Sequence, residues 1–135
     1  MKSVRFLALL LLPWLVGCAP TPAKNVVADV DPLRRAVVED VVEAMGDAYV
    51  PSVTALAPTR APDGAFDNAL HAALRAKGYT VSPVGGRGVA FNCVVDAIGD
   101  TMYRVNVRIG TSTLSRLWVL KGNDAYAGGA WSRRE

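Results

Sequence analysis

"MYRVNVRI", Met102–Ile109, decides the fold. Successive side chains of a strand point to opposite faces. Tyr103, Val105, Val107 and Ile109 therefore share one face, and Arg104, Asn106 and Arg108 the other. A strand with one apolar and one polar side belongs to a sheet covered on one face only, the habit of antiparallel sheets. Gly99-Asp100 before it and Gly110-Thr111 after it read as two-residue hairpin turns of the Gly-X kind. They join it to "GVAFNCVVDAI" (Gly88–Ile98) and "STLSRLWVL" (Ser112–Leu120). "YTVSPV" (Tyr79–Val84) precedes these, so the spacing predicts a meander of four strands. "GGRG", Gly85–Gly88, reads as a hairpin loop. It lacks the Gly-Lys-Ser/Thr ending of a phosphate loop and does not open a helix.

Upstream, the apolar period changes from two to about 3.6. In "DPLRRAVVEDVVEAMGDAY", Leu33, Val37, Val38, Val41, Val42 and Met45 recur at helical spacing. This predicts a helix over 32–47, with Asp31 as N-cap, Pro32 at the first helical position and Gly46 ending it. "SVTALA", Ser52–Ala57, follows as a short strand between two prolines. "FDNALHAALRAKG" is a second helix with Phe66, Ala69, Leu70, Ala73 and Leu74 on its apolar face, Asp63 as cap and Gly78 as stop. The tail "KGNDAYAGGAWSRRE" is glycine-rich and reads as irregular. The fold class is α+β: two layers, a mixed/antiparallel sheet of about five strands with two helices on one face.

The chain opens differently. Lys2 and Arg5 precede an apolar run, Phe6–Val16, that is too short to span a bilayer, which takes about 20 apolar residues. Its pattern is that of a secretory signal peptide. It ends on Leu15-Val16-Gly17-Cys18, the residue types of a lipobox. The thiol takes a diacylglycerol as a thioether, the small residue before it admits the peptidase, and the freed amino group is acylated. Several acyl chains make a stable anchor where one does not. The expected organisation is residues 1–17 signal peptide, 18–30 lipidated Cys18 and tether, and 31–135 a single periplasmic domain. With Ala19 rather than Asp after Cys18, the expected destination is the periplasmic face of the outer membrane.

Charge and chemistry narrow the function. The chain carries 15 Lys+Arg and 12 Asp+Glu, and Lys2 and Arg5 leave with the signal. The mature domain is then close to neutral, without the basic stripe of a nucleic-acid binder. With Cys18 lipidated, Cys93 is the only thiol. Sharing a face with Phe91 and Val95, it reads as a buried structural cysteine; the sharper alternative is an intermolecular disulfide. His71, the single histidine, reads as a solvated helix residue. No His/Cys/Asp set has metal-ligand spacing. "TSTLSR" is no nucleophile elbow, and Asp96 and Asp100 read as turn or solvent residues. No enzyme, cofactor or metal is expected. Partner surface remains. Tyr103 reads as core, and Trp118 as core or covered edge. In the tail, Trp131, Arg133 and Tyr126 are the candidate partner-binding residues, since aromatics and Arg dominate interface hot spots. For Trp131, packing on the domain and packing on a partner both stay open.

"FDNALHAALRAKGYTV", "YRVNVRIGTSTLSRLW" and "AGGAWSRRE", with the Cys18 lipobox, resemble the conjugal transfer lipoproteins of the TrbH family. The resemblance covers most of the mature chain and carries no catalytic motif. It implies a component of the mating-pair-formation apparatus of plasmid type IV secretion. Such a lipoprotein would anchor and steady the outer ring of the core complex, in a multimeric ring beside TrbG-like and TrbI-like proteins, with no nucleic acid bound. Cys18 is the one residue it transfers as functional. The alternative is a periplasmic lipoprotein adaptor or regulator of another envelope complex.

Overall fold

The computed structural model describes residues 25–135. The signal segment, Cys18 and the first part of the tether lie outside them. Packing begins at once: Asn25 and Ala28 are buried, and Val26–Asp29 form a 3-10 turn. Asn25 and Ala28, expected in the tether, are thus packed on the domain.

Helix α1, Asp31–Ala48, buries Leu33, Val37, Val38, Val41 and Met45. Four of these recur every fourth residue, which makes one continuous apolar stripe. Val30, not Asp31, is the N-cap; Asp31 sits in the first turn and pairs with Arg34. The helix also runs through Gly46 to Ala48 instead of ending there, and Lys77 lies close to Gly46. A Cβ on Gly46 would meet Lys77 Cε at 3.2 Å. A 3-10 turn at Pro51–Val53 delays strand β1 to Ala55–Pro58.

Helix α2, Ala65–Lys77, buries Phe66, Leu70 and Leu74 as its periodicity requires. Its N-cap is Gly64 and no side chain of its own caps it. The carboxylate of Asp29 does this from the N-terminal turn, accepting from Phe66 N–H at 2.9 Å. Asp63 instead donates its backbone N–H to Asp67.

Strand β2, Thr80–Val81, lies parallel to β1, so β1–α2–β2 is a strand-helix-strand unit. Strand β3, Val89–Ala97, lies parallel to β1 on its other side. The segment at Gly85–Gly88 is therefore a crossing past β1 and not the expected hairpin loop. The antiparallel meander starts only at β3 and continues through β4, Met102–Ile109, and β5, Ser112–Lys121. Ile109 pairs with Ser112 across the expected two-residue turn. The other turn is longer, since Ile98 N–H bonds Met102 O across residues 99–101.

The tail, expected to be irregular, forms two strands. Strands β6, Asp124–Ala127, and β7, Ser132–Arg134, both pair with β5 along the same edge, β6 against Trp118–Lys121 and β7 against Thr113–Ser115. The sheet has seven strands, in the order β2-β1-β3-β4-β5-β6 with β7 on β5, rather than about five. Both helices cover one face. Phe91, Cys93, Val95, Val105, Val107, Ile109, Leu114 and Trp118 point into that layer, and the opposite face stays open. Among the described residues no helix is long and apolar enough to cross a membrane.

Candidate functional site

Three places hold polar groups together. The first is inside. Where β1 stops pairing with β3, the β3 edge would be left with open backbone groups, which cannot be buried without partners. The Asn25 side chain takes them. Its amide donates to Cys93 O (2.9 Å) and its oxygen accepts from Val95 N–H (2.8 Å), as a neighbouring strand would. The same amide donates to Asp67 (2.7 Å), and Arg60 pairs with Asp67 at 2.6 Å. Asn25, Arg60, Asp67 and β3 thus form one knot that fixes where the chain enters the domain.

His71 borders this knot. It is buried on α2 one turn beyond Asp67 and tilted against the Phe91 ring, 6.4 Å between centroids, which corrects the solvated reading. Burial lowers its pKa, partly opposed by the Asp67 charge. The gap beside it is about 10 Å³, close to the space of one water molecule. Burial also pushes the Cys93 thiol well up, away from thiolate chemistry. Cys93 is the buried free cysteine its face predicted.

The lowered His71 pKa has a testable consequence. Between the folded and unfolded pKa values the unfolded chain binds the proton and the folded chain does not, so stability falls as pH drops through the unfolded value of about 6.5. Urea midpoints measured from pH 7.5 to 5 should decline, and His71→Gln should flatten that part of the profile. An equal slope in both proteins would assign it elsewhere.

The second place is the tail. Arg116 sits on the helix-facing side of β5, in register with Val105, where the pattern calls for an apolar residue. It bonds Asp40 of α1 (2.5 Å) and Gly129 O (2.7 Å), and lies 5.9 Å from the centroids of both Trp118 and Trp131. Trp131 Nε1 donates to the same Asp40 oxygen (3.2 Å). Arg133 lies over the Tyr49 ring (5.8 Å) and pairs with Glu135. Trp118 is core and Tyr103 packs against it. Of the three tail candidates, Trp131 and Arg133 rest on the domain, while Tyr126 is 53% exposed beside a shallow groove between α1 and the β5–β6 hairpin.

The third place is the open sheet face, a trough of about 850 Å³ across β3, β4, β5 and β7. Its floor is polar, with Asn92, Asn106, Thr113 and Ser115 between Arg104, Arg108 and Arg134. Asp96 is its one carboxylate and pairs with Arg104 (2.6 Å). In the sequence this face shows only as the polar side of a strand. Arg134 joins it because the tail returns as a strand. Among the described residues no group of three or more His, Cys, Asp or Glu is placed to hold a metal.

These features define a small α+β scaffold with one layer of helices, an internal polar knot at its chain entry and an uncovered arginine-bearing sheet face. The chain matches the family "Conjugal transfer protein TrbH" over residues 20–135 and belongs to that family. It is a conjugal transfer component. Neither a curated protein nor a solved structure matches it.

Proposed function

We propose that the chain is an outer-membrane lipoprotein that anchors and steadies the outer part of a conjugative type IV secretion channel during mating-pair formation. The observation that carries this reading is membership of a conjugal transfer family in a chain that opens on a signal-like segment and the Leu15-Val16-Gly17-Cys18 box. Asn25 is buried on the domain, so the stretch between it and the lipid-bearing Cys18 is residues 19–24. At about 3.5 Å per residue it reaches roughly 20 Å at most, so the domain rides against the membrane. The role is mechanical and not catalytic; the walled-in His71 and the raised Cys93 pKa support this. TrbG-like and TrbI-like proteins are the partners, and Tyr126 is the tail residue open to them. Trp131 and Arg133 contribute by holding the tail strand in place.

Cys18→Ser is the test. Radiolabelled palmitate should no longer be incorporated, the protein should leave the detergent phase, and core-complex proteins should no longer co-purify with it. Mating-pair formation should fall while plasmid DNA processing continues. Retained labelling and outer-membrane residence would refute the anchor. Co-purification of an unrelated envelope complex would instead support the adaptor reading.

A further inference from the structure

We infer that copies of this chain associate front to back, the acidic outer line of α1 from one copy seating in the arginine-bearing trough of the next. The trough asks for a negatively charged partner. Arg108 and Arg134 stand on either side of Thr113, in register on three neighbouring strands, and neither has an ion-pair partner among the described residues. Its lining is nearly free of apolar side chains, so an apolar partner is not what it fits. No aromatic lines it to stack a base, as single-stranded nucleic acid requires. Its concave shape does not match a flat bilayer. The chain's own tether, "APTPAK", has no carboxylate to offer.

The opposite side of the molecule does. Arg35, Glu39, Glu43 and Asp47 are the exposed line of α1, facing away from the buried Leu33, Val37, Val41 and Met45. Glu39, Glu43 and Asp47 have no ion pair among the described residues. Glu39 and Asp47 are about 12 Å apart along the helix, at 1.5 Å per residue. Arg104 and Arg108 are about 14 Å apart along β4, at 3.4 Å per residue. The signs also set a direction. Arg35 goes to the end of the trough that holds Asp96, and Asp47 to the end that holds Arg108 and Arg134. Because trough and helix line lie on opposite layers, each copy in such a contact keeps one of each unused. That is a heterologous interface, which closes into a ring or extends into a filament. The inference rests on these two faces and not on the anchor or the channel.

Cysteine cross-linking of the full-length protein, carrying Cys18→Ser so that no other accessible thiol reacts, tests it. Cys93 is buried and stays out of the reaction. Asp47→Cys with Arg108→Cys in the same chain should give, on oxidation, a ladder of dimer, trimer and larger species. Either substitution alone should give none. Adding Arg104→Glu and Arg134→Glu, or about 0.5 M salt, should weaken the ladder by roughly tenfold, as screened or reversed charge pairs require. Glu39→Arg with Glu43→Arg should then restore it in the arginine-reversed chain. The inference is overturned if the double variant, with an unchanged circular dichroism spectrum, gives no ladder. It is equally overturned if a single variant forms dimers, which marks a symmetric contact, or if the trough cysteine captures a different protein.

Discussion

Asp67→Ala should lower the stability of the domain by about 2–4 kcal/mol, read as a shift in the urea midpoint at unchanged slope. Asp67 is 4% exposed and accepts from the Asn25 amide, from both terminal nitrogens of Arg60 and from the backbone of Asp63. Its removal leaves the Arg60 charge beside the core with only a long bond to Cys93 O (3.4 Å). Breaking a buried pair from one side commonly costs about 3–5 kcal/mol. The expectation here is lower because the Arg60 side chain is 26% exposed and can turn toward water. Asn25 also loosens, and with it the bonds that complete the β3 edge. Asp67→Asn keeps an acceptor for Asn25 and should cost clearly less. If both variants were as stable as the parent, the knot would contribute nothing to the entry of the chain.

Little of that knot was legible in the sequence. Its members come from four segments, the entry at Asn25, the loop at Arg60, the helix at Asp67 and the strand at Cys93 and Val95, and pattern reading links only neighbours along one element. One signal was present. Asp67 and His71 are one turn apart and flank Leu70 and Leu74, so they fall on the face of α2 that points inward. An apolar period marks which face is buried; it does not say that polar residues on its border go in with it. Arg116 is the same lesson on a strand. The alternation of β5 placed it on the covered side, where it stays because Asp40 and two indole rings receive it.

The fold was more readable where side-chain pattern and backbone agree. The alternation at Met102–Ile109 predicted a sheet with one covered face, and α1 and α2 fall within two residues of their expected limits. The tail escaped because "DAYA" and "SRR" are short and poor in the β-branched residues that favour strands. Their strand state comes from pairing with β5, a long-range effect. Gly122-Asn123 was the local clue. Lys121 pairs with Asp124, leaving these two as a hairpin turn whose first residue has φ 62°, as a Gly-X turn requires. The order β2-β1-β3 was hidden for a related reason: nothing in "GGRG" distinguishes a hairpin from a passage to the far side of another strand.

That passage supplies the other large effect. Val81 and Val89 both stand level with Leu56, on opposite sides of β1 and running in the same direction. The chain between them must leave one side of β1 and come in on the other. It is pinned on the way by Ser82 N–H to Leu56 O (2.8 Å) and by the Ser82 hydroxyl to Arg87 O (2.7 Å). Gly88 is where it comes in. A Cβ there would stand 2.6 Å from Ala55 O and 3.2 Å from Ala57 N, and its φ is 137°. The atoms it would strike are main chain of β1, held between two strands, so they have nowhere to retreat. Backbone strain of about 1–3 kcal/mol adds to an overpacking cost of similar size. Gly88→Ala should therefore destabilise the domain by about 3 kcal/mol or more. Gly85, in the same loop with φ 74°, has no atom within 4 Å of a Cβ. Gly85→Ala should cost only the left-handed strain, about 1–2 kcal/mol. The difference between the two variants, read from urea midpoints, isolates the close approach of the crossing chain to β1. Equal costs would mean that the chain does not enter beside β1 at Gly88, and the order β2-β1-β3 would lose its steric basis.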